Sequence, residues 1–195
     1  VGADAFFSAL KLYLRTNAYR TVEVHQLRLA FEEVTGQDLN WFFNQWFLSK
    51  GHPVLTITYG WDETNHKATC TVKQEQNLSE EPLFILPVAV DIYENGKSRR
   101  ENITIRKKEQ NFSFDCTNAP DVINFDAEKM ITGVKNDKHS KSEWRALYKM
   151  APLFQDRFEA LIALSKDYNE ETPEAEIIRS ALDDKNRKIR ENADA

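Results

Sequence analysis

Apolar positions recur at helical spacing in the opening stretch of the chain, at a spacing of two through its middle, and at helical spacing again towards its end. Phe6, Phe7, Leu10, Tyr13 and Leu14 predict one amphipathic helix, with Asn17 as its terminator. Thr21 is placed to cap a second helix, whose buried stripe is Val24, Leu27, Ala30, Phe31 and Val34 and whose end is marked by Gly36. A third starts at Asp38, sets Leu39, Phe42, Phe43, Trp46 and Phe47 on one face, and stops at Gly51, where Pro53 blocks continuation. Short loops between three such helices predict a compact helical group.

From Pro53 the pattern changes. Val54 to Tyr59 alternates apolar with hydroxyl-bearing side chains, and Ala68, Cys70 and Val72 alternate with Thr69, Thr71 and Lys73, as half-buried strands do. Leu83 to Tyr93 is a longer apolar run in which Pro87 predicts a bulge or an unpaired edge position. Asn95-Gly96 is the strongest hairpin signal, because both residues tolerate the positive φ of a primed turn. Asn102 to Arg106, Asn111 to Cys116 and Asp121 to Phe125 complete a series of short strands that predicts an antiparallel β-sandwich over 53–126. Past Asp126 the helical period returns at Glu143 to Tyr148, at Ala151 to Leu164, and after Thr172-Pro173-Glu174, which makes a good helix start. The stretch from Ala181 to Ala193, with Asp183-Asp184 in its turn, looks like the joint between two helices of a HEAT-type repeat. It breaks off in mid-repeat, so more of a solenoid is expected to follow.

Composition narrows the function classes. The 41% hydrophobic and 11% aromatic content supports a folded core, and a net charge of −5 gives no electrostatic basis for a nucleic-acid partner. The basic pairs Arg99-Arg100 and Lys107-Lys108 read as solvated hairpin positions. Cys70 and Cys116 are too few for a disulfide scaffold and read as buried thiols, with one bridge between neighbouring strands left open. The apolar run from Leu83 to Val90 is far short of the ~18 residues that span a bilayer, so no membrane span is expected. The N-terminus lacks both an initiator Met and the basic region of a signal peptide, so the natural start is expected to have been removed. The compartment is not legible; a soluble cytoplasmic or periplasmic protein is expected.

No phosphate-binding Gly-rich loop and no G-x-S-x-G elbow occurs. Both cysteines fall in predicted strands with no cationic helix end to activate a thiolate. The carboxylate pairs Glu32-Glu33, Glu80-Glu81, Glu170-Glu171 and Asp183-Asp184 are adjacent, so their side chains diverge; they read as solvated positions. Asn77, Asn102 and Asn111 stand in Asn-x-Ser/Thr, which matters only in a glycosylating secretory pathway.

The order Gln45-Trp46, four residues, Gly51-x-Pro53 and then a strand resembles the exit from the catalytic domain of aminopeptidase N-like (gluzincin) zinc metallopeptidases. Gln74-Glu75-Gln76 is similar to the end of that family's second sandwich strand, Leu83 to Tyr93 to its long central strand, and Val122 to Asp126 to the strand closing the module. The resemblance implies a multidomain α+β chain lying downstream of the zinc motif. Residues 1–52 would be the last helices of a thermolysin-like catalytic domain, 53–126 the β-sandwich spacer, and 127–195 the start of a C-terminal HEAT-like helical domain. The parent would use one zinc ion to remove N-terminal residues from peptides. This portion would pack against the missing upstream catalytic domain and position the helical domain over the active site.

The chemistry such an enzyme needs is absent from this stretch. Two His at i and i+4 with a Glu between them would present both imidazoles to the metal, yet His25, His52, His66 and His139 are scattered and position 29 is Leu29. Neither Met130 nor Met150 is followed by the Glu-Asn of the exopeptidase segment, and Tyr13 and Tyr19 come too late in the family's order to stabilise an oxyanion. No residue is therefore assigned a catalytic, cofactor-binding or metal-binding role, and the portion alone is expected to be inactive and without a cofactor. Two rival readings are a scaffold of aminopeptidase architecture that has lost its zinc site, and a free-standing sandwich that binds a protein or glycan through an aromatic platform at Trp61 and Tyr59.

Overall fold

The computed structural model describes residues 1–166 and 171–193; Glu170 of the Glu170-Glu171 pair lies outside them. The chain is mixed α+β, with seven α-helices and two sheets among the described residues. It divides into two compact units: Val1–Gly51 with Asn77–Ile85, and His52–Gln76 with the chain from Leu86 onward.

In the first unit, α1 (Ala3–Thr16) carries Asp4 in its first turn and Arg15 in its last, each opposing the nearer end of the helix dipole. Asn17 ends it as expected, its side-chain amide donating to the Tyr13 carbonyl at 2.8 Å. The second helix, α2 (Val24–Thr35), is capped by Glu23 rather than Thr21: the Gln26 side chain reaches back to accept the Glu23 N–H at 2.9 Å. Gly36 closes it in the left-handed conformation at φ 68°.

The aromatic helix departs from the expected regular helix. A single turn, α3 (Asn40–Phe43), starts where Asp38 Oδ1 accepts the Asn40 N–H at 2.9 Å, and then widens into a π-helical turn over Asn44–Leu48. The added residue per turn rotates the face. Gln45 is brought inward to 6% exposure, while Phe42 and Phe47 of the expected apolar stripe stand 38% and 53% exposed. The unit's core is thin: Ala9, Phe31, Leu39 and Phe43 form a buried cluster with Val24 and Leu27 against it, and Ala30 and Phe84 are buried besides.

The second unit holds both sheets. β1 (Val54–Asp62), β2 (Lys67–Gln74), β5 (Glu109–Asp115) and β7 (Val134–Asp137) form one, in the order β5-β2-β1-β7. The other has the order β4-β3-β6, from β3 (Leu86–Glu94), β4 (Lys97–Ile105) and β6 (Val122–Phe125). The expected alternation holds in β1 and β2, where Leu55, Ile57, Ala68, Cys70 and Val72 are all fully buried. Asn95 and Gly96 form the β3–β4 hairpin with φ of 53° and 72°, the double positive of a primed turn. Pro87 lies inside β3, opposite Thr104, but β6 reaches only Val90 to Tyr93, so Pro87 occupies a part of the strand paired on one side.

β7 falls within the segment expected to be helical. It pairs with β1 in parallel, Val54 opposite Val134 and Ile57 opposite Asp137, whereas β1 to β6 pair only antiparallel. Its sequence, Val-Lys-Asn-Asp, has no apolar alternation; backbone bonds at its ends, Val134 N–H to Pro53 and Lys138 N–H to Ile57, hold it in place.

Four helices follow: α4 (Lys141–Met150), α5 (Phe154–Ser165), α6 (Pro173–Ala181) and α7 (Arg187–Ala193). Leu147 and Ala151, at the C-terminal end of α4, pack with Tyr93 and Val122 of the three-stranded sheet. Tyr148 joins Ala160, Leu161, Leu164, Ile177, Ile178, Ala181 and Ile189 in a second apolar cluster that binds the four helices together. Arg157 of α5 pairs with Asp184 at 3.1 Å in the turn between α6 and α7, with both side chains nearly buried.

Candidate functional site

A cleft of about 340 Å³ opens between β7 and the helices α4 and α5, with Asp137 and Trp144 on one wall and Glu159 and Lys166 on the other. Two of its lining residues, Asp137 and Trp144, contact His139, which lies in the link from β7 to α4. The imidazole is fully buried, stacks on the Tyr59 ring at 4.4 Å and 5°, and meets the Trp144 indole edge-on at 4.7 Å. Asp137 Oδ1 lies 3.3 Å from Nε2 and Glu143 Oε1 lies 3.9 Å from Nδ1, ion pairs without hydrogen-bond alignment at either ring nitrogen. Tyr59 donates its hydroxyl to the same Asp137 oxygen at 2.8 Å.

Burial alone would push the His139 pKa down, but the carboxylates of Asp137 and Glu143 reverse this and raise it to about 9. For Glu143, burial pushes upward, and contacts with His139 and Ser140 outweigh it, bringing the carboxyl to about 2. Burial, reinforced by the charge of Asp137, raises the Tyr59 phenol. The result at neutral pH is a buried imidazolium between two carboxylates. A charged imidazole is neither a general base nor a metal ligand.

Beside this centre the charges are paired. Lys129 Nζ bridges Asp156 at 2.6 Å and Glu159 at 3.1 Å; Lys135 Nζ meets the buried Asp126 at 2.9 Å. Asn124 donates to Asp156 at 3.1 Å, and Arg100 grips Asp91 through two bonds of 2.7 and 2.9 Å. Such an arrangement orients and fastens; it holds no nucleophile beside a base.

Of the other residues weighed from sequence, Cys70 lies opposite Tyr59 on β2. His25 and His52 are exposed, as a surface and a connector histidine are expected to be, and His66 is exposed with Nδ1 3.1 Å from the Thr117 carbonyl oxygen. Cys70 and Cys116 are buried free thiols, and burial drives the Cys70 pKa up. Of the paired carboxylates, Glu32 bridges Arg28, Glu80 bridges Lys50 and Asp184 bridges Arg157. The proposed Trp61–Tyr59 platform is not open: Tyr59 is covered by His139, and Trp61 is half-buried with its ring 6.0 Å from His66. Among the described residues no group of three or more His, Cys, Asp or Glu is arranged to hold a metal ion. Among them, too, no helix is long and apolar enough to cross a membrane.

His139 went unmarked in the sequence because Tyr59 is remote in the chain. The local signal was there: Asp137-x-His139 puts two side chains on one face of a strand end, and Ser140-x-x-Glu143 is a capping box that brings a carboxylate back over it.

Sheets, cleft and helices together have the fold of a stretch of an aminopeptidase. The chain is similar to the crystal structure of Legionella pneumophila aminopeptidase A in complex with aspartic acid, with a TM-score of 0.76 and 16% identity over 95% of this chain and 23% of that one. In sequence it is 25% identical over 128 residues to aminopeptidase N of Haemophilus influenzae, covering 58% of this chain and 15% of the relative. The chain thus spans a minor part of the length of either protein. No protein-family profile matches it.

Proposed function

We propose that the chain is the downstream portion of a zinc-dependent aminopeptidase that hydrolyses N-terminal residues from peptides. Residues 1–52 are the last helices of the thermolysin-like catalytic domain, 53–126 the β-sandwich spacer and 127–195 the start of the HEAT-like domain. Their task is to hold that helical domain over an active site built elsewhere. The observation that carries this reading is the fold likeness to an aminopeptidase over 95% of the chain. The thin core of the first unit supports it too: Phe7 is 66% and Leu14 61% exposed, a surface suited to burial against more of a catalytic body. The seam between the two compact units at Gly51 and His52 supports the first boundary.

The zinc ligands are then supplied by the upstream sequence. The test compares the full gene product with the 195-residue chain for bound zinc and for hydrolysis of aminoacyl anilides. The full product is expected to carry one zinc equivalent and to be active, the chain alone neither. A full product without zinc or activity overturns the reading in favour of the scaffold, and stoichiometric tight zinc binding by the chain alone overturns the placement of the ligands.

A further inference from the structure

Helix α4 is fastened at two ends by two kinds of force. Its C-terminal half is docked by apolar contact, Leu147 and Ala151 against Tyr93 and Val122 of the three-stranded sheet. Just before its N-terminal end, the link from β7 sets His139 between Tyr59 of β1 and Trp144 of α4. We propose that His139 is a protonation-gated pin: as the imidazolium it fastens the first turns of α4 to the four-stranded sheet, and loss of its proton frees that end of the helix.

The groups facing it come from every element packed there. Tyr59 on β1 offers a ring face and bonds Asp137, Asp137 on β7 and Glu143 on α4 offer negative charge, and Trp144 on α4 offers a ring edge. Cys70 on β2 lies behind Tyr59 as a buried neutral thiol. The cleft is lined as well by Lys135 of β7, bound to Asp126, by Glu159 of α5, bound to Lys129, and by Lys166. An imidazolium suits this position in two ways: it neutralises two half-buried carboxylates, and its flat cation lies face to face on the Tyr59 ring. A neutral imidazole keeps the stacking but leaves Asp137 and Glu143 without a countercharge, and their repulsion acts on the short link from β7 to α4. The joint is therefore closed across the neutral range and opens in alkali. This holds whether or not the parent chain is a peptidase.

The test is an NMR titration of the 195-residue chain from pH 7 to 10. His139 is expected to titrate near pH 9, with the Tyr59–His139–Trp144 ring contacts disappearing in step while the Leu147–Tyr93 contact and the strand pairings persist. Glu143→Gln is expected to move the midpoint down at least tenfold in proton concentration, and His139→Gln to show the alkaline pattern already at pH 7. A midpoint at or below pH 7, ring contacts that survive deprotonation, or helices and sheets unfolding in a single step would each overturn the proposal. Should His139→Gln fail to fold, the titration of the unmodified chain decides alone.

Discussion

The side-chain amide of Gln45 pairs with the backbone of Ile85 as a neighbouring strand would: Nε2 donates to the Ile85 carbonyl at 2.9 Å, and Oε1 accepts the Ile85 N–H at 2.9 Å. This double bond of polar groups ties the Asn77–Ile85 excursion into the first unit, where Trp46 also meets Phe84 at 5.2 Å. The π-helical turn is what aims Gln45 inward.

Gln45→Ala is expected to destabilise the first unit by about 1–3 kcal/mol, the cost of leaving a buried donor and acceptor unpaired. Gln45→Glu is the sharper probe, because it keeps an acceptor for the N–H but sets a carboxylate against the carbonyl. It should be no better than Ala in urea unfolding, and limited proteolysis should cut first within 77–85. A Glu variant as stable as the parent would show that the amide donor contributes nothing.

The β3–β4 hairpin gives a backbone prediction. Gly96 has nothing within 4 Å of where a Cβ would stand, so only its φ of 72° opposes a side chain. Gly96→Ala is expected to cost about 1 kcal/mol and Asn95→Gly close to nothing, since both residues must hold positive φ. Thermal unfolding of the two variants checks the order.

These two sites mark what the sequence made legible. Asn95-Gly96 and Gly36 act through their own backbone preferences, which need no partner, and Asn17 through a side-chain bond to Tyr13 one turn back; each sits where it was expected. The alternation of Leu55, Ile57, Ala68, Cys70 and Val72 likewise follows from one-sided burial. What was hidden depends on distant partners. β7 is a strand only because β1 offers it bonds, Gln45 finds its partner only because the fold brings Ile85 to it, and His139 is a buried centre only because the fold brings Tyr59 beneath it. Glu23 displaced Thr21 as a cap because Gln26 completes a reciprocal box that Thr21 has no partner to form.

Within the helical part, Arg157 and Asp184 form the nearly buried pair between α5 and the α6–α7 turn. Asp184 also accepts the Asn186 N–H at 2.7 Å, so it shapes the turn as well as neutralising the arginine. Arg157→Ala or Asp184→Ala is expected to cost about 3 kcal/mol, each leaving a charge buried and alone. Replacing both should cost clearly less than the sum, and a double-mutant cycle read by urea unfolding measures the difference. Additive losses would mean that the two charges do not interact.

Stability as a function of pH follows from His139 and Glu143 with opposite signs. The folded pKa of His139 is raised from 6.5 to about 9, so its contribution is complete below pH 6.5 and is lost as pH rises through 9. Glu143 is lowered from 4.5 to about 2, so its contribution is complete above pH 4.5 and is lost as pH falls through 2. The two are one coupled pair, and their effects do not add. Maximal stability is therefore expected between about pH 4.5 and 6.5, with a decline of a few kcal/mol on the way to pH 9. Above pH 10 the raised tyrosines Tyr59 and Tyr93 add their own losses, and the buried Cys70 thiol begins to do so near pH 9, so the decline from pH 6.5 to 8 belongs to the histidine. Urea unfolding at pH 5.5, 7 and 9 measures the slope, and His139→Gln should flatten it. A parent chain with no slope over that range would mean that the folded chain holds the His139 proton no more tightly than the unfolded one.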